Sequence, residues 1–185
     1  MSNGTFSGNP KTMWLSERGD DRDMQVIEDF WYLDQAGRRW DVPAGTVING
    51  ASIPRTLWSS VGSPYTGNYR RAALVHDAAV GHEGVLRSES DAMFYFACLA
   101  GGCSQLQAKM LYAGVRIGAW ANNTQLFSAQ PASAAPDGTR LPGEQTPREL
   151  EIRARYTLIA NQLKASGNTF ADIEKVVDRN LGRAD

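Results

Sequence analysis

The chain holds two histidines, His76 and His82, and the stretch "LVHDAAV" sets His76 directly before Asp77. Imidazole is the one side chain that titrates near neutral pH without help, so this dipeptide invites an acid–base reading. Neighbouring positions on a helix do not face each other, however, and Asp77 therefore cannot be the group that orients His76. A second carboxylate has to do that. Asp91 is the candidate, because "GHEGVLR" would fold the helix that carries it back against the helix of His76. A carboxylate that holds an imidazole in one tautomer, while the imidazole activates a nucleophile, is the arrangement a hydrolase needs. Asp77 is then left to bind a cation. A hard ion such as calcium takes carboxylate and backbone carbonyl oxygens, and the irregular stretch "INGASIP" could supply the latter.

Each of these residues also has a purely structural reading. In "SESD", Ser88 can cap a helix and Asp91 then occupies the third helical position, as a capping box requires. His76 could be a satisfied core histidine, and Asp77 could pair with Arg55 or Arg71. His82 falls in a loop and reads as solvated.

The elements around these residues are readable from pattern. Between positions 12 and 41, "TMWLS" and "MQVIEDFWYLD" are rich in β-branched and aromatic residues, and "DQAG" turns the chain into "RRWDVP". This predicts a small antiparallel hairpin sheet. The following "VPAGTVINGASIPRTLWSSVGSPYTGNY" has Gly and Pro too often for a long regular element, with Ile53 and Trp58 as core anchors. Three helices are expected next: about 69 to 80; a second that opens at "SESD" and ends at Gly101 and Gly102; and a third over "SQLQAKMLYAGVRIGAW". The third puts Leu106, Met110, Tyr112 or Ala113, and Ile117 near one face. Residues 122–148 have the Pro, Ala, Ser and Gly content of a linker. Beyond it Ile152, Tyr156, Ile159 and Leu163 recur at heptad-like spacing, and "TFADIEKVVDRNL" follows with Thr169 as its cap. Such a tail is an interaction element that docks on its own domain or on a partner.

The totals bound the class. A length of 185 residues suits one domain with an appendage, and 42% hydrophobic with 21% charged residues is globular composition. The formal net charge of -1 supplies no global field for nucleic acid. No apolar run approaches bilayer length, and the N-terminus lacks a basic region followed by an apolar stretch, so synthesis in the cytoplasm without export by the usual signal is expected. Cys98 and Cys103 form neither a disulfide framework nor a full tetrahedral metal site, and read as core or surface thiols.

Over residues 28–118, "DFWYLDQAGRRWDVPAGTVINGASIPRTLW", "YRRAALVHDAAV" and "SESDAMFYFACLAGGCSQLQAKMLYAGVRIG" resemble a family of unknown function widespread in tailed phages and prophages, domain of unknown function family 1353. Its hallmarks are a VPAGF-type loop, a D-G-A-S-I-P motif, an H-D dipeptide, and a helix with alanine or serine, aspartate and phenylalanine. More remotely, "HDAAV", "SESDAMFYFACL" and "AKMLYAGVRIG" look like the small bacterial and fungal phospholipases A2. That resemblance implies a base at His76, its orienter at Asp91, and calcium on Asp77 with loop ligands near Asn49 and Gly50. The chain departs from the pattern at Val80, where phospholipases carry tyrosine, in lacking their disulfides, and at Asn49, where the phage family has aspartate.

The combined expectation is an α+β protein. A β-hairpin sheet with a three-helix phospholipase A2-like core occupies residues 1–121, a linker 122–148, and an amphipathic helical tail 149–185. The function expected is calcium-dependent hydrolysis of a phospholipid or other ester of a host envelope. The alternative is a non-catalytic tail or baseplate component that keeps the scaffold. The partners expected are phage structural proteins or envelope lipid, with the tail helices mediating protein contact. The place expected is the host cytoplasm on synthesis, with incorporation in the virion.

Overall fold

The computed structural model describes residues 3–15, 23–50, 52–63, 65–80, 82–127 and 145–183. Among the described residues six short strands come first: β1 (Thr5–Phe6), β2 (Thr12–Trp14), β3 (Met24–Val26), β4 (Phe30–Leu33), β5 (Arg39–Val42) and β6 (Val47–Ile48). They form two antiparallel three-stranded sheets, ordered β1-β4-β5 and β2-β3-β6. The stretch "MQVIEDFWYLD" is therefore two strands in different sheets rather than one. The break falls where Asp29 accepts the Ala44 N–H at 2.8 Å and the Ile27 N–H donates to the Lys11 carbonyl at 2.9 Å. These local partners replace a continuous ladder.

The expected hairpin is β4–β5, with Tyr32 opposite Trp40. Asp34 builds its turn: Oδ1 accepts the N–H groups of Ala36 and Arg38 at 2.9 Å each, and Oδ2 accepts the Trp40 indole N–H at 2.9 Å. Phe30, Tyr32, Trp40 and Val42 face inward at period two.

After a 3-10 turn over Arg55–Leu57 come α1 (Trp58–Val61), α2 (Arg70–Val80), α3 (Arg87–Ala100), α4 (Gln105–Phe127), α5 (Pro147–Ala165) and α6 (Phe170–Leu181). The chain is thus α+β. Helix α4 is the axis of the helical layer and packs against α1, α3, α5 and α6. It is buried on every side from 111 to 119, so the single apolar face read from its spacing understates its role. It also runs to Phe127, into the stretch with linker composition. Arg148 accounts for part of this, since it donates to the Ala121 carbonyl at 3.1 Å and lies 4.5 Å over the Trp120 ring. Positions 128–144 of the expected linker lie outside the described residues.

The tail docks on its own core. Ile152, Tyr156, Ile159 and Leu163 of α5, and Ile173 and Val177 of α6, are all buried. Lys109 of α4 fixes the turn between the two helices. Its buried ammonium donates to the carbonyls of Leu163 (3.3 Å), Ser166 (3.3 Å) and Gly167 (2.9 Å) and to the Ser166 hydroxyl (3.2 Å). A cation at the end of α5 meets the carbonyls that a helix C-terminus leaves unpaired. At the other ends, Thr146 and Glu149 form a capping box on α5, and Thr169 caps α6 as its sequence predicts. Cys98 and Cys103 are buried free thiols.

Candidate functional site

Helices α2 and α3 pack as an antiparallel pair and bring the two predicted residues together in the core. His76 Nε2 lies 2.7 Å from Asp91 Oδ1, with side-chain exposures of 1% and 0%. Asp91 is not a cap. Helix α3 starts at Arg87, one residue before the expected cap Ser88, its N-cap is Leu86, and no side chain caps it. This start puts Arg87 one turn before Asp91, and the Arg87 Nε–H donates to Asp91 Oδ1 at 2.8 Å while Nη2 donates to the Val115 carbonyl at 3.0 Å.

A second arginine stands on the other side of the carboxylate. Arg116 of α4 places Nε 3.7 Å from Asp91 Oδ2, a charge contact too long for a hydrogen bond. Its Nη1 donates to the Tyr112 hydroxyl at 3.0 Å, and its Nη2 donates to the Gly182 carbonyl at 3.0 Å and lies 3.0 Å from Asp178 Oδ1. Burial works against the Arg116 charge, but Tyr112, Asp178 and Asp91 outweigh it and hold its pKa above the usual value. Burial pushes Tyr112 up to about 12. With guanidinium groups on both sides, Asp91 is an acceptor, so His76 presents Nε2–H to it and turns Nδ1 away from it.

Nδ1 has no hydrogen-bond partner among the described residues. His76 lines a recess of about 10 Å³ with Gly50, Ser52, Ile53, Ala73, Asp77, Phe94 and Val115, room for roughly one water. The Phe94 ring holds the imidazole from one side, centroid to centroid at 4.9 Å. The geometry is that of a base and its orienter beside a water-sized, largely apolar pocket.

Asp77 takes a different part from the one expected. Its Oδ2 accepts the Gly50 N–H at 2.8 Å and its Oδ1 accepts the Ser52 hydroxyl at 2.8 Å. The positive φ of Gly50, 64°, lets the chain turn its N–H toward the carboxylate. Calcium takes oxygen acceptors, whereas Gly50 and Ser52 present donors to Asp77, so in this arrangement both Asp77 oxygens are engaged by the loop itself. Among the described residues no three His, Cys, Asp or Glu gather as a metal site. His82 is exposed, as expected.

Reasoning from sequence missed four contributors. Arg87 was accessible as an i, i+4 partner of Asp91. Arg116 and Asp178 carry no local signal, because their meeting depends on how α6 docks. The fourth is the glycine pair of α4, where a Cβ on Gly118 would overlap the Ser52 carbonyl oxygen and one on Gly114 would stand 3.3 Å from Ile53 Cγ2. These bare positions let residues 52–54 lie directly on α4 and roof the recess.

Residues 24–115 match the model of a family described as "Protein of unknown function (DUF1353)", which spans β3 to the middle of α4 and includes the whole recess. The chain is similar to uncharacterized protein y4jT of Sinorhizobium fredii (strain NBRC 101917 / NGR234), with 29% identity over 190 residues, covering 92% of this chain and 56% of that protein. It is also similar to uncharacterized protein y4iH of the same strain, with 36% identity over 97 residues, 52% of this chain and 41% of that protein. The chain thus spans about half the length of these curated relatives. No solved structure matches it. The family match agrees with the first resemblance and says nothing of phages or of phospholipase A2. No helix among the described residues is long and apolar enough to cross a membrane.

Proposed function

We propose that this chain, through its DUF1353 domain, is a phage-encoded hydrolase of carboxylic esters, with the phospholipids of a host envelope as the substrate class. The observation that carries the reading is the 2.7 Å contact of His76 Nε2 with Asp91 Oδ1, set beside the one-water recess that His76 lines. In this reading a water in the recess donates to His76 Nδ1 and attacks the ester carbonyl carbon. His76 takes the water's proton and returns it to the departing alcohol, and Asp91 keeps the ring oriented and stabilises its cationic form. Phe94, Ile53, Ala73 and Val115 keep the base in apolar surroundings. No step is assigned to calcium, because the Asp77 oxygens already accept from Gly50 and Ser52.

A second reading has its own support. Asp91 also meets Arg87 and Arg116, and so ties α2, α3 and α4 together as a buried ionic hub would. A non-catalytic tail or baseplate component needs such a hub and no turnover. The deciding experiment is fatty-acid release from mixed phospholipid vesicles by the native chain, His76→Ala and Asp91→Asn, in calcium and in chelator. The hydrolase reading expects release by the native chain in both buffers and loss in both variants. No release by the folded native chain from any lipid class overturns it in favour of the scaffold.

A further inference from the structure

The recess beside His76 is too small for any ester, yet everything around it is built for something larger. Gly114 and Gly118 lie one turn apart on the face of α4 beneath residues 52–54. Ile53, buried, rests on Gly114, where an added Cβ would stand 3.3 Å from Cγ2 and 3.4 Å from Cδ1. The Ser52 carbonyl and the Pro54 ring rest on Gly118. Ala73, Phe94 and Val115 line the same space, and His76, 1% exposed, gives it a ring nitrogen that no described residue pairs.

We infer that this is a closed binding slot for a short aliphatic chain, that residues 52–54 plug it with the Ile53 side chain, and that Asp77 is the latch on the plug. The inference deepens the hydrolase reading and rests on it for what happens at His76. The chemical class follows from the occupant: the slot is filled by a sec-butyl group, is floored by glycine, and is apolar except for His76 and the latch, so its ligand is an alkyl or acyl chain. The latch consists of the two 2.8 Å bonds to Asp77, backed by the Trp58 indole N–H on the Ile53 carbonyl at 3.1 Å. Asp77 is only half-buried, so water competes for these bonds and the plug lifts without unfolding the core. The same contacts that make Asp77 a poor calcium ligand make it a gatekeeper.

Two readouts test this without any assay of hydrolysis. The first is carbethoxylation of the two histidines by diethyl pyrocarbonate, mapped by mass spectrometry, with exposed His82 as the internal standard. Ser52→Ala and Asp77→Asn, checked for native circular dichroism, are expected to speed labelling of His76 relative to His82 by about tenfold or more, the scale of losing a hydrogen bond to a charged group. The second is n-hexanol binding followed through the Ala73 and Val115 methyl resonances. Ile53→Ala is expected to shift them at millimolar hexanol and the native chain far less. His76 labelling that stays at the native rate in both folded latch variants, or hexanol shifts that are equal or missing in both native chain and Ile53→Ala, would overturn the inference. Hexanol binding and latch release without fatty-acid release would leave the slot standing and remove the hydrolase. Fatty-acid release with neither would do the reverse.

Discussion

His76 Nε2 and Arg87 Nε converge on the same oxygen, Asp91 Oδ1, at 2.7 Å and 2.8 Å. One buried carboxylate thus serves an imidazole and a guanidinium at once, while its other oxygen faces Arg116 across 3.7 Å. A base that needs only an orienter does not require two arginines. A core that needs only an ionic tie does not require a water-sized recess at the free side of the imidazole. Both requirements meet at Asp91, and variants there separate them.

Asp91→Asn removes the negative charge that Arg87 and Arg116 share, leaving Arg116 to Asp178 and Arg87 to the Val115 carbonyl. Breaking one side of a buried ion pair costs about 3–5 kcal/mol. Denaturant unfolding of Asp91→Asn is expected to show a loss in that range, whereas His76→Ala is expected to lose less because the arginines keep their partner. Equal, small losses would mean that Asp91 is more solvated than its 0% exposure implies.

This duality also explains what the sequence could and could not reveal. The pairing of His76 with Asp91 was legible, because a short connection between two helices brings the middle of one against the opening of the next. The capping role of "SESD" was misread, because Leu86 in extended conformation already starts α3 and Arg87 is needed inside it. Asp77 looked like a cation ligand, since a carboxylate near a Gly-rich loop fits both a metal and a hydrogen-bonded turn. Which of the two forms depends on whether Gly50 turns its N–H or its C=O inward, a single φ that composition does not encode. Arg116 reaches Asp178 only across a tertiary interface, so nothing local announced it.

Gly118 is predicted to be irreplaceable where Gly114 is not. Alanine normally gains up to about 1 kcal/mol over glycine inside a helix. At 114 the new methyl meets flexible Ile53 atoms at 3.3–3.5 Å, so Gly114→Ala should stay within about 1 kcal/mol of the native chain in thermal unfolding. At 118 it would collide with the Ser52 backbone carbonyl, which has to move with the whole roof. Gly118→Ala should lower the melting temperature and expose His76 to labelling.

Alkaline pH should unfold the chain through its buried tyrosines. Burial raises Tyr112 and Tyr156 to about 12 from an ordinary value near 10, and lifts Tyr32 and Tyr69 higher still. The unfolded chain then loses these protons first. The stability contributed by the protonated phenols is complete below about pH 10 and drains away as pH rises through 12. Denaturation midpoints measured from pH 8 to 12 should fall across that window, and Tyr156→Phe, whose hydroxyl only reaches the Met110 carbonyl at 3.5 Å, should flatten the fall at little cost below pH 10.

The last prediction concerns the tail. Lys109 donates to the carbonyls of Leu163, Ser166 and Gly167, of which Leu163 and Gly167 also accept from the Ser166 hydroxyl, and its stem is buried with the α4 core. Lys109→Met keeps that stem and removes the charge, so it isolates the polar contribution. The Ser166 hydroxyl still serves the Leu163 and Gly167 carbonyls, so the Ser166 carbonyl is the one that loses its side-chain donor, and a carbonyl left unsatisfied costs about 1–3 kcal/mol. A net loss of about 1–3 kcal/mol is expected. Hydrogen exchange should place it in α5 and α6 first, with α2 and α3 still protected. Uniform loss of protection across all helices would instead mean that the tail and the core of α2 to α4 open as one unit, and that the docked tail is part of what holds Arg116 against Asp91.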